Sequence, residues 1–161
     1  MTRTRLMSTL TRIDTHVLNV SDKTNWVFLC ATDDRGATGW GEASLIGWEP
    51  LLQAAAQHLA PQWLGLDLDR LQALRPSAQS PGGLVANTVL SALLQATASL
   101  QAQAQQRPAA EVLGPVQRHE VTLYANINRA TRLRTPEGFV ATALRAQAQG
   151  FSAFKVAPFD G

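Results

Sequence analysis

Val121-Thr122-Leu123-Tyr124-Ala125-Asn126-Ile127-Asn128 reads as a β-strand by alternation alone. Val121, Leu123, Ala125 and Ile127 fall on one face, and Thr122, Tyr124, Asn126 and Asn128 on the other, the period-2 pattern of a strand with one buried side. A helix follows. Thr135 is placed to cap it, Pro136 suits its first position, and Glu137 puts negative charge at the positive end of the helix dipole. Val140, Ala143 and Leu144 are its expected inward face, and Gly150 its stop. Residues 152–157 form a second strand. Strand, helix and strand over 121–157 make a βαβ unit, with parallel strands and a right-handed crossover.

Upstream of Arg118 the pattern is different. Residues 13–20 and 27–32 read as strands, and Asp33-Asp34-Arg35-Gly36 is a turn leading into a third strand at 37–42. Gly39 and Gly41 flank Trp40, which predicts a close approach of another backbone. These glycines do not form a dinucleotide fingerprint, because their spacing is wrong and no helix follows directly. The middle of the chain is helical. Pro50 opens a helix carrying Leu52, Ala55, Ala56 and Leu59, and Pro61 closes it. Asp67 caps a short helix with Leu71 and Leu74. After the break at Ser80-Pro81-Gly82-Gly83, the residues Val85, Val89, Ala92, Leu93, Ala96 and Leu100 keep helical spacing for about four turns. Residues 101–106 read as the solvated end of that helix, and Gly114-Pro115 closes a short one after it.

Composition narrows the function classes. The chain has 161 residues, 45% hydrophobic and 16% charged, which is globular. No apolar run reaches the roughly 18 residues of a membrane span, so no membrane partner is expected. Arg3 and Arg5 are not followed by the apolar core of a signal peptide. The lone Cys30 excludes an internal disulfide framework and agrees with a reducing, cytoplasmic location. The pI of 9.2 accompanies a net charge of only +2, and the local basic cluster is Arg129, Arg132 and Arg134. That is too sparse for a nucleic-acid face, so no nucleic-acid partner is expected. His16, His58 and His119 lack zinc spacing.

The segment Asp33-Asp34-Arg35-Gly36-Ala37-Thr38-Gly39-Trp40-Gly41-Glu42-Ala43 resembles the hairpin of the N-terminal capping domain in the enolase superfamily. Its closest likeness is to the mandelate racemase and muconate lactonizing enzyme branch. The helix over 84–105, followed by Ala110-Glu111-Val112-Leu113-Gly114, resembles that domain's long helix and its leucine-glycine end. Gln95-Ala96-Thr97 stands where the family usually has a tryptophan-aspartate pair. Residues 121–128 resemble the first barrel strand, and Gly150-Phe151-Ser152-Ala153-Phe154-Lys155 the approach to the second.

The resemblance implies an α+β fold: an antiparallel β-meander, a helical part, then the first βαβ unit of an incomplete (β/α) barrel. Residues 1–118 would be the capping domain and 119–161 the truncated start of the barrel. Closing that barrel takes roughly 200 more residues. In the family, a proton is removed α to a carboxylate and the enediolate is stabilised on Mg²⁺, held by acidic residues on later strands. Asp160 is the carboxylate beyond Glu137, and one carboxylate cannot make such a site, so no metal ligand is expected in this chain. Lys155 matches the first of the family's two lysines at the end of the second strand, and Ala157 replaces the second, the usual base. Lys155 is thus the candidate catalytic residue, holding a substrate carboxylate. The alternative is a lysine snorkelling from an ordinary strand. Asn126 and Asn128, near the end of the first strand, are either substrate-binding or turn residues. Residues 21–25 and 45–48 match loops that reach over the active site in this family. Trp48 is a candidate lid contact or a packed aromatic.

The expected function is that of a fragment of a racemase or dehydratase acting on a small carboxylate or acid-sugar substrate, inactive alone. The other readings are an assembly module pairing with a partner that supplies the rest of the barrel, and an unrelated small α+β structural domain. Uncovered apolar residues Phe154, Val156 and Phe159 predict self-association.

Overall fold

The computed structural model describes residues 8–22, 24–74 and 83–157. The readings at Arg3, Arg5, Ser80 to Gly82, Phe159 and Asp160 lie outside those residues. The chain divides into two compact units, residues 1–116 and 117–161.

The first unit opens with an antiparallel meander of β1 (Leu10–Ser21), β2 (Thr24–Asp33) and β3 (Thr38–Glu42), in the order β1-β2-β3. The turn between β2 and β3 is built by Asp33. Its buried carboxylate accepts from the Arg35 and Ala37 N–H groups at 3.0 and 2.8 Å and from the Ser8 hydroxyl, and Gly36 takes the left-handed φ of 79°. Helices follow: α1 (Glu49–Leu59), a 3₁₀ turn (Ala60–Gln62), α2 (Leu68–Gln72), α3 (Gly83–Gln105) and α4 (Ala109–Leu113). Pro61 sits inside the 3₁₀ turn, so the chain tightens there instead of leaving the helical path. Asp67 caps α2, accepting from Arg70 N–H at 2.7 Å.

One face of the meander packs on α3. Val27, Leu29 and Ala31 of β2 meet Val89, Ala92, Leu93, Ala96 and Leu100 in a single core that also takes Leu52, Ala56, Trp63 and Leu71. Contact is close because β3 carries glycines on its helix-facing side. A Cβ on Gly39 would run into the Ala96 carbonyl, and one on Gly41 into the Ala92 carbonyl. By length and apolarity α3 could cross a membrane, but its apolar stripe is the core of this unit. The end of α3 is not simply solvated as expected. Gln101 and Ala102 are buried, and Gln101 Nε2 donates to Asp69 Oδ1 at 2.7 Å.

The second unit contains β4 (Ala125–Asn126), α5 (Pro136–Ala148) and β5 (Phe154–Lys155), with β4 and β5 parallel. Both strands are shorter than expected. Residues 121–124 lie outside any strand, and Val121 and Leu123 are exposed, because β5 supplies ladder partners only for Ala125 and Asn126. Thr135 caps α5, accepting from Gly138 N–H at 3.2 Å. The inward face of α5 also differs. Phe139, Thr142 and Ala146 are buried, whereas Val140 and Leu144 are more than half exposed. The apolar pattern admits both phases. Ala125, Ile127 and Phe151 offer their apolar surface to the Phe139, Ala143 and Ala146 side.

Candidate functional site

The two parallel strands place polar side chains by period and register. Ala125 N–H donates to Ala153 O at 2.9 Å and Ile127 N–H to Lys155 O at 3.2 Å, which sets Asn126 opposite Lys155. The side chains of Ala125 and Ile127 pack under α5. Neighbours in a strand alternate sides, so Asn126 and Lys155 share the face turned away from that helix. In a sheet whose helices lie outside, that face is the inner one.

Asn128 joins the strand ends. Its Oδ1 accepts from the Ala157 N–H at 2.5 Å, and its Nδ2 donates to Asn126 Oδ1 at 3.0 Å. The Asn128 N–H also reaches Asn126 Oδ1 at 3.3 Å, so the pair is a local turn motif and a link between strands at once. Arg134 completes the cluster. Its two terminal nitrogens donate to Asn128 O at 3.1 Å and Ala157 O at 2.9 Å, while the guanidinium carbon lies 5.3 Å from the centre of the Phe139 ring. One planar fork thus holds the C-terminal ends of both strand segments. Arg134 was missed as a site residue, since in the sequence it is one of three loop arginines. Asn126, Asn128, Lys155 and Ala157 are brought together, and Lys155 is exposed. Trp48 belongs to the first unit. It is 46% exposed at the N-cap position of α1, where its carbonyl accepts from Leu52 N–H at 2.9 Å.

The two loops near Trp48 are tied together by Glu49. Its Oε1 accepts from Gly47 N–H at 3.2 Å and from Asn25 Nδ2 at 3.4 Å. Bonds from its own N–H and that of Gly47 hold the carboxyl below its ordinary value of 4.5. The same local cause, its own N–H and then the Thr135 hydroxyl, lowers Glu137. A folded pKa below the unfolded one means that stability is present above 4.5 and lost as the pH falls through the lowered folded value. In an acid titration followed by circular dichroism, Glu49→Gln should therefore flatten stability loss in that window. An unchanged slope would contradict the loop tie. Among the described residues no three His, Cys, Asp or Glu side chains converge, so these residues do not fit an Mg²⁺ site.

Residues 2–114 match the sequence model of the mandelate racemase/muconate lactonizing enzyme N-terminal domain. The chain belongs to this family. It is 30% identical over 149 residues to a D-mannonate dehydratase of Caulobacter vibrioides, spanning 89% of this chain and 36% of that protein. It is 26% identical over 151 residues to a D-galactonate dehydratase of Ralstonia pickettii, spanning 91% and 37%. The chain therefore spans about a third of the length of these curated relatives. The fold superposes on a mandelate racemase/muconate lactonizing enzyme from Sulfitobacter with a TM-score of 0.82 at 20% identity, covering 94% of this chain and 42% of that one. It also superposes on a muconate cycloisomerase from Azorhizobium caulinodans with a TM-score of 0.71 at 25% identity, covering 91% and 41%. The antiparallel meander followed by helices is this family's N-terminal capping domain.

Proposed function

We propose that this chain supplies the cap and the first two barrel strands of an acid-sugar dehydratase, in which Lys155 holds the substrate carboxylate and Asn126 and Asn128 its hydroxyls. The supporting observation is the register that sets Asn126 beside Lys155 on the face turned away from α5. A lysine ammonium there offers three donors and a fixed charge to a carboxylate, and Asn126 Nδ2 and the second hydrogen of Asn128 Nδ2 offer donors to hydroxyl oxygens, the two Oδ1 atoms being engaged within the turn. Ala157 offers only a methyl group where the family's second lysine stands, so this strand supplies no base. Abstraction of the proton α to the carboxylate would need an Mg²⁺ site to stabilise the resulting charge, and the described residues of this chain do not supply one. The chain alone, in a reducing cytoplasm, binds weakly and does not turn over.

Titrating ¹⁵N-labelled chain with D-galactonate and D-mannonate tests this reading. Side-chain amide shifts at Asn126 and Asn128, with a Kd of roughly millimolar order, are expected, and Lys155→Met should remove them. No perturbation at these residues, or dehydration by the chain alone in the presence of Mg²⁺, would refute it.

A further inference from the structure

Resting on the carboxylate-binding role proposed for Lys155, we infer that Arg134 is its positioning residue. With the Asn128 side chain, Arg134 adds one rung to the β4–β5 ladder beyond the point where the backbone stops. Bonds in a parallel ladder are evenly spaced. Ala125 N–H donates to Ala153 O and Ile127 N–H to Lys155 O. By that order Ala157 N–H would next donate to Ile127 O, and Arg129 N–H to Ala157 O. The chain turns away instead. Ile127 O accepts from the Thr131 N–H at 3.0 Å and from the buried Thr131 hydroxyl at 2.8 Å. Side chains serve both groups of Ala157. Asn128 Oδ1 accepts from its N–H at 2.5 Å, and Arg134 Nη2 donates to its carbonyl at 2.9 Å. Arg134 Nη1 donates to Asn128 O at 3.1 Å, so one guanidinium binds both strand ends.

Lys155 therefore lies within the ladder and not at its end. Its carbonyl is held by Ile127, and two residues on Ala157 is held through both N–H and C=O. The last rung of so short a pair would otherwise fray. A flanked lysine keeps its backbone angles and so the direction of its side chain, the support that a binding group needs. Asn128 Nδ2 passes the constraint to Asn126 Oδ1, opposite Lys155.

Arg134 is itself well anchored. A Cβ on Gly138 would run into the Leu133 carbonyl, so the residue before Arg134 is pressed onto the first turn of α5. The Phe139 ring, packed with Ile127 and Ala146, lies 5.3 Å from the guanidinium carbon. A lysine at 134 would keep the charge and lose the planar fork that spans two strands.

Hydrogen exchange of the ¹⁵N-labelled chain tests this. The Ala157 amide should be as protected as that of Ile127, and about tenfold less so in Arg134→Lys, the effect of losing one hydrogen bond. Arg134→Lys should also bind D-galactonate about tenfold more weakly, while the Ala125 and Ile127 amides and the urea midpoint stay unchanged. A merely structural role would lower that midpoint and leave the affinity of the folded chain alone. Asn128→Ala should expose the Ala157 amide equally, and adding Arg134→Lys should expose it no further, because both act on one rung. Should Arg134→Lys not fold, the unaltered chain still decides: its guanidinium should give separate, slowly rotating Nη signals. A single averaged signal, an unprotected Ala157 amide, or an Arg134→Lys chain with unchanged exchange and affinity would overturn the proposal. An unaltered chain that does not bind D-galactonate refutes the role of Lys155, and the rung is then judged by exchange and the guanidinium signals.

Discussion

Gly41→Ala is expected to unfold the first unit. The added Cβ would overlap the backbone carbonyl of Ala92, and a main-chain atom in the middle of a helix cannot swing aside as a side-chain tip can. To fit, α3 must move off β3, opening the seam where Ala92, Leu93 and Ala96 meet Leu29 and Ala31. Overpacking at side chains costs about 1–3 kcal/mol, and a clash with rigid backbone lies at or above that range. A domain with 5–15 kcal/mol in total loses much of its stability. Gly36→Ala is the control. Nothing lies within 4 Å of its Cβ, and only the strain at φ 79° is charged, roughly 1 kcal/mol. Urea unfolding followed by circular dichroism should show Gly41→Ala without a cooperative transition and Gly36→Ala with a slightly lowered midpoint. Equal midpoints would contradict the close sheet–helix contact.

Leu93→Ala should cost about 3–5 kcal/mol, the range for deleting a fully buried leucine whose surroundings cannot collapse. Leu93 is 0% exposed at the centre of the core, between β2 and the other helices. Leu144→Ala provides the contrast. Its side chain is 59% exposed on α5, so a change within about 0.5 kcal/mol is expected. The comparison separates two leucines that the amino-acid pattern alone assigns equally to a buried face. A Leu93→Ala loss under about 1 kcal/mol would mean that α3 does not form the core described.

What the sequence reveals here depends on how local the cause is. The caps at Asp67 and Thr135 were legible because a side chain and an N–H three residues on suffice to make them. Gly39 and Gly41 were legible as a close approach because they sit on alternate positions of one strand, although the sequence does not say which backbone comes near. The phase of α5 was not legible. Val140 and Leu144 are as apolar as Phe139, and only the packing of Ile127 and Ala125 selects the other side. Val121 and Leu123 alternate like a strand, but alternation supplies no partner, and the parallel pairing reaches only two residues of each chain segment. Gln101 looks like helix surface until Asp69 arrives from α2, far away in the sequence. The placement of Asn126 and Lys155 on paired strands was legible, and so was Asn128 at the end of the first, because period-2 alternation marks both segments. Arg134 was not, because its role comes from two carbonyls that the fold brings within reach of one guanidinium.

The residues after 117 start a parallel sheet in which Asn126 stands beside Lys155. Nuclear Overhauser contacts across the β4–β5 pair test this most directly. Parallel register predicts cross-strand contacts of Ala125 with Phe154 and of Asn126 with Lys155, together with slow exchange of the Ala125 and Ile127 amides. An antiparallel contact pattern, or fast exchange at both amides in the folded chain, would contradict it.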